Sequence, residues 1–321
     1  MSSFKSSLKK ILLGEQGLVV IFAVAFVIVS LTVPNFLTER NMIGLLQSVV
    51  TIGIVACTMM FCLASRDFDL SVGSTVAFCG MIAVMASNVT GSIILGLLAA
   101  LVCGGIVGLV NGALIAKLRI NALIATLATM QIVRGLALIA SDGRAVGIND
   151  PNFYQLALST FLGIPTPIWI MAILFILFGF VLNRTTFGKN TLAIGGNPEA
   201  SRLAGVNVAR MRIWIFTLQG FICAIAGILL SSRITSGQPN AAIGLELLVI
   251  SACVLGGVSL AGGRASMSGV IVGVLIMGIA QNVMNLLNIP AFYQYLVLGS
   301  ILLIAVTLDN IRSAAAGRSR G

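Results

Sequence analysis

Apolar stretches long enough to cross a bilayer recur from one end of this chain to the other, separated by short polar gaps. A helix needs roughly 20 apolar residues to cross a hydrocarbon core about 30 Å thick. A water-soluble domain of this length has no interior able to hide so many of them. Charge points the same way: 9% of the 321 residues are charged, against about 25% in soluble domains. The 35 glycines suit helices packed closely in lipid better than helices facing water. The expected fold is an all-α polytopic membrane protein.

The pattern predicts ten spans, near residues 17–33, 43–64, 71–87, 92–116, 122–141, 168–182, 213–232, 247–260, 269–287 and 295–308. Several are shorter than a straight crossing requires, which implies breaks, tilt or extension into their flanks. The first follows Lys5, Lys9 and Lys10, runs on to Val33 and lacks a small-residue cleavage pattern, so it reads as an anchor rather than a removed signal. With the N-terminus inside, the cytoplasmic side receives most of the basic residues, from Lys5 through Arg66, Lys117, Arg119 and Arg184–Arg212 to Arg320. The outside receives Arg40, Arg144 and Arg233, while Arg134 stays within a span. This asymmetry predicts that both termini are cytoplasmic. It also accounts for the net charge of +10 without a nucleic-acid partner, because no basic domain exists to hold one.

Ten spans divide into two inverted five-helix halves, a common transporter plan. A short echo agrees with this: Phe68-Asp69-Leu70 precedes the third span and Leu245-Glu246-Leu247 precedes the eighth. No gap is long enough to build its own core, so residues 1–321 read as one transmembrane domain with a cytoplasmic segment at about 183–212.

Enzyme and metal chemistry find little support. There is no histidine, and the six cysteines sit in apolar stretches without metal-site spacing, so they read as small buried hydrophobes. No G-x-x-x-x-G-K-[ST] phosphate loop is present, so no ATP or other cofactor is expected on this chain.

Residues 183–212 carry the most information. Gly195-Gly196-Asn197 reads as a turn before a short helix that starts near Pro198, with Asn197 as cap, Glu199 in its first turn and Gly205 at its end. Ser201, Arg202 and Leu203 complete it. Such a capped, charged helix reads either as a docking element for a soluble partner or as a plain surface loop. Asp67 and Asp69 lie beside Ser71 and Gly73 at the start of the third span. They read either as helix capping and packing or as contacts on a translocation path. Arg134 inside the fifth span reads as a gate, an internal ion pair or a direct contact. Asn282 and Asn285 share a helix face and read as interhelical bonds or path lining. Gly104, Gly108 and Gly112, like Gly269 and Gly273, recur at four-residue spacing and read as close-packing faces.

Glu199-Ala200-Ser201 followed by Gly205 resembles the EAA-and-glycine motif of ABC importer permeases. GGNPEASRLAG at 195–205 and DFDLSVGS at 67–74 resemble the branch importing ribose and other monosaccharides. LRINALIATLATMQIVRG at 118–135, SDGRAVGI at 141–148, TSGQP at 235–239 and LELLVISACVLGGVSL at 245–260 resemble its L-arabinose permeases. Ser201 replaces the motif's second alanine, and Arg66 stands where that branch has a small residue such as glycine.

The resemblance implies a homodimer in the bacterial inner membrane. It also implies an ABC ATPase subunit carrying ATP and Mg, and a periplasmic sugar-binding protein. A stand-alone ion- or proton-coupled transporter is the alternative, although few acidic residues and no histidine leave it short of ligands and proton carriers.

Overall fold

The computed structural model describes residues 15–318 and is mostly helical. Lys5, Lys9, Lys10 and Arg320 lie outside the described residues, as do the side chains of Arg312 and Arg318. Five helices fill the first part of the chain: α1 (Glu15–Thr32), α2 (Glu39–Ala64), α3 (Val72–Thr90), α4 (Ile93–Ala116) and α5 (Ala122–Ala140). A short strand β1 (Val146–Gly147), helix α6 (Asn152–Leu158) and strands β2 (Thr160–Phe161) and β3 (Ile164–Pro165) then lead into α7 (Thr166–Arg184). Next come α8 (Thr186–Gly196), α9 (Pro198–Leu203), α10 (Val208–Arg233) and β4 (Ser236–Gly237). The last helices are α11 (Leu245–Leu255), α12 (Met267–Leu286) and α13 (Ala291–Arg318).

Among the described residues seven helices are long and apolar enough to cross a membrane, namely α2, α3, α4, α5, α7, α10 and α12. The first, eighth and tenth expected spans coincide with shorter apolar helices at Leu18–Thr32, Leu245–Leu255 and Phe292–Thr307. The eighth stops at Leu255 instead of reaching 260. Gly256 and Gly257 follow, and Gly257 takes φ +84°, a left-handed conformation that ends the helix. The turn expected at 195–197 is a second correction: Gly195 and Gly196 are the last residues of α8. A Cβ at Gly195 would overlap the carbonyl oxygen of Ala64, so this glycine is needed for close packing rather than for a turn.

The two 26-residue helices, α2 and α10, form the centre. Helix α10 packs on α3 and α4, and α2 packs on α11 and α12. The glycine faces act as their spacing implied. Gly104, Gly108 and Gly112 of α4 lie against Gly220, Phe216 and Ile213 of α10, and Gly269 and Gly273 of α12 lie against Gly256 and Ala252. Without Cβ atoms the backbones approach closely, which gains dispersion contacts where lipid supplies no hydrophobic drive.

Polar caps set the helix starts. Asn121, Thr185, Asn197, Asn207 and Ser266 each accept a first-turn N–H. The segment after α10 pairs its strand β4 antiparallel with β1 and runs back along α3. Gly237 meets Met81, and Ala242 and Glu246 meet Gly73. The starts of α3 and α11 therefore adjoin.

Candidate coupling segment and buried polar loop

Helix α9 is short because its ends are both fixed. Pro198 presets φ at the first helical position, and the Asn197 Oδ1 accepts the N–H groups of Glu199 and Ala200, each at 3.0 Å. Gly205, at φ +87°, turns the chain out toward α10. One face is tied down: Ser201 is buried and donates to the Asn197 carbonyl at 2.9 Å. The other face is open. Glu199 and Arg202 form an exposed pair at 3.0 Å, Ala200 is exposed, and Leu203 is 84% exposed. In water such a pair contributes little, about 0.3–0.5 kcal/mol. The open face carries small and apolar groups ringed by charge, a shape suited to a groove.

A backbone junction connects this segment to the end of α2. The Gly263 N–H donates to the Ala64 carbonyl at 2.9 Å, against which Gly195 packs. Arg66, at φ +67°, spans the junction: its Nε donates to the Ala261 carbonyl at 2.6 Å and its Nη2 to that of Gly196 at 3.2 Å. The side chain at the position where the resemblance implies a small residue such as glycine thus sits in a glycine-type conformation and ties the end of α8 to the loop at Ala261.

Residues 65–71 continue as an irregular loop between α2 and α3. Asp67 is buried and pairs with Arg212 of α10, Nε to Oδ2 at 2.9 Å. Burial pushes its carboxyl up from 3.8 to about 6, against the opposing pull of the Arg212 charge and of hydrogen bonds from Ser65 and Arg212. Asp69, also buried, accepts from the Ser71 N–H at 2.9 Å and from the Ser71 hydroxyl at 2.6 Å. Burial raises it to about 6 as well, with the Ser71 bonds opposing. Asn111 of α4 donates to the Ser71 oxygen at 2.9 Å, and Thr126 of α5 accepts from the Leu70 N–H at 3.1 Å. The Asp69 side chain thus bonds Ser71, the residue that precedes α3, while among the described residues no side chain accepts a first-turn N–H of that helix.

A cavity of about 1420 Å³ joins the two features; Asp67, Arg119, Arg202, Gly205, Asn207 and Arg212 are among its lining residues. The remaining candidate path residues lie elsewhere. Arg134 donates through Nη1 to the carbonyls of Pro239 and Ala241, so its charge is met by backbone dipoles on the segment that leads to Glu246. Asn282 and Asn41 of α2 exchange two amide bonds at 2.8 and 3.0 Å, while Asn285 accepts from Gln294 at 3.1 Å. Asn282 and Asn285 thus bond across helices, whereas Arg134 bonds the loop that precedes α11. Asn111 and Thr126 went unread in the sequence; a lone buried Asn within an apolar span was the available signal for the first.

Comparison with known proteins is consistent along the chain. A family model described as branched-chain amino acid transport system / permease component matches residues 41–306. The L-arabinose ABC transporter permease protein AraH of Azospirillum brasilense is 55% identical over 94% of this chain and 89% of its own length. AraH of Escherichia coli K12 is 56% identical over 94% and 92%. The ribose import permease protein RbsC of Escherichia coli K12 is 37% identical over 93% and 94%. No solved structure matches the chain. The relatives are transport permeases, and this chain is likewise a membrane translocation component rather than an enzyme. It belongs to the permease-component family of branched-chain amino acid-type transport systems.

Proposed function

We propose that this chain is the membrane-spanning subunit of an ABC importer for L-arabinose. The observation that carries the sugar assignment is the identity gap: 55–56% to L-arabinose permeases against 37% to a ribose permease, over nearly the same residues. In this reading two copies form a homodimer in the inner membrane. A periplasmic binding protein delivers the sugar, and two ATPase subunits on the cytoplasmic side hold ATP and Mg.

Residues of about 183–212 form the coupling segment, and the open face of α9 seats in the ATPase. Glu199, Ala200, Leu203 and Gly205 make that face, while Asn197 and Ser201 hold the helix. Arg66 and the Asp67–Arg212 pair carry its displacement to the loop at Asp69 and Ser71. That loop is the candidate contact with passing sugar, because carboxylate and hydroxyl oxygens accept from sugar hydroxyls.

The ten spans form two inverted halves with both termini cytoplasmic. Supporting this, α2 packs on α11 and α12 as α10 packs on α3 and α4, and the starts of the counterparts α3 and α11 adjoin. Basic residues concentrate on the side of α9. Deleting the gene tests the substrate: high-affinity L-arabinose uptake is lost while ribose, xylose and galactose uptake persist. Unchanged arabinose uptake with loss of another sugar contradicts the assignment.

A further inference from the structure

The hairpin β2–β3 lies at the end of α7 opposite the coupling segment. Thr160 pairs with Pro165 and Phe161 with Ile164, and the tip residues Leu162 and Gly163 both take positive φ, as a tight two-residue hairpin turn requires. The residues at that tip are not those of a hydrated loop. Phe161 is 60% and Leu162 79% exposed. Trp169, on the first turn of α7, donates its indole N–H to the Phe161 carbonyl at 3.0 Å and packs edge-on to the Phe161 ring at 5.8 Å.

From Trp169 an exposed apolar stripe continues down α7 through Ile173, Ile176, Leu177 and Phe180, and ends at Arg184. These residues recur at helical spacing on one face. At 1.5 Å per residue the stripe from Trp169 to Arg184 is about 23 Å long. A hydrocarbon core of about 30 Å leaves several ångströms uncovered if Arg184 marks one boundary. The hairpin tip supplies apolar surface at that end, and Trp169 sits where aromatic side chains concentrate at membrane interfaces.

We infer that the β2–β3 hairpin is a membrane anchor, its Phe161–Leu162 tip embedded among interfacial lipids. The occupant is lipid because the tip is continuous with the apolar stripe of a spanning helix. The anchor fixes the depth of α7, the helix that leads directly into α8 and α9.

Fluorescence tests this. Trp214→Phe, at an exposed position near the start of α10, leaves Trp169 as the single tryptophan. In proteoliposomes, lipids brominated near the headgroup quench Trp169 about twofold more than aqueous acrylamide does. Leu162→Asp reverses that order without loss of the folded protein, which size-exclusion chromatography checks separately. Dominant acrylamide quenching in the parent places the hairpin in water and overturns the inference. So does protection from both quenchers, which means a protein surface covers the tip. Lipid quenching that is indifferent to Leu162→Asp removes the hairpin from the anchor.

Discussion

Gly195→Ala is the most discriminating local perturbation of the junction beneath the coupling segment. A Cβ built on Gly195 overlaps the Ala64 carbonyl oxygen and comes to 2.5 Å from the Gly263 nitrogen, both of them backbone atoms that no rotamer change can move. Relief requires α8 to lift from the end of α2. Overpacking of this kind costs about 1–3 kcal/mol. Gly196→Ala is the matched control, one residue along the same helix, with nothing within 4 Å of its added Cβ. Alanine favours helix over glycine by up to about 1 kcal/mol at either site, so that gain cancels in the comparison. The difference between the two variants is therefore about 1–3 kcal/mol, destabilising at 195. Thermal unfolding of the two purified proteins, run side by side in one detergent, measures it. Equal melting temperatures for the two variants would falsify the tight junction.

Ala200→Trp and Gly205→Val insert and fold, yet abolish sugar-stimulated ATP hydrolysis in the reconstituted complex. The first adds bulk to the open face. The second adds about 1–3 kcal/mol of backbone strain at a positive φ in otherwise open space. Glu199→Ala, which removes only an exposed pair, retains most turnover. Asp67→Asn alters the pH dependence of stability. The folded-state carboxyl titrates near 6, above its ordinary 3.8, so the folded protein holds this proton more tightly than the unfolded chain. Its contribution is fully present below about 3.8 and is lost as pH rises through about 6. Wild type therefore gains up to about 3 kcal/mol on the Asn variant between pH 7 and pH 4, read from paired melts. Gly108→Leu drives α4 from α10 at Phe216 and Thr217, and lowers the yield of folded protein far more than Gly135→Leu, which meets open space.

Much of this was legible in the chain itself. Helix α9 was readable to its caps because Asn197, Pro198 and Gly205 act locally, through their own backbone preferences. The glycine faces were readable because their four-residue spacing has one geometric meaning in a helix. Helix α8 was missed because its final Gly195-Gly196 pair is a turn signal by composition. The demand for glycine there comes from Ala64, far away in sequence. The loop at 65–71 was half legible. Asp69 bonds its near neighbour Ser71, whereas the partner of Asp67 is Arg212 and only the fold brings the two together. Arg66 illustrates the same limit: a left-handed arginine bridging Gly196 and Ala261 has no local sequence signature.

The central claim, ATP-driven sugar import through this chain, is tested most directly by ATP-dependent uptake in proteoliposomes. The permease is reconstituted with the cognate ATPase subunit and arabinose-binding protein, and radiolabelled L-arabinose is followed. The account predicts accumulation that requires ATP and both partners and that disappears with Ala200→Trp. Accumulation driven by an ion gradient, without ATP or partners, would contradict it.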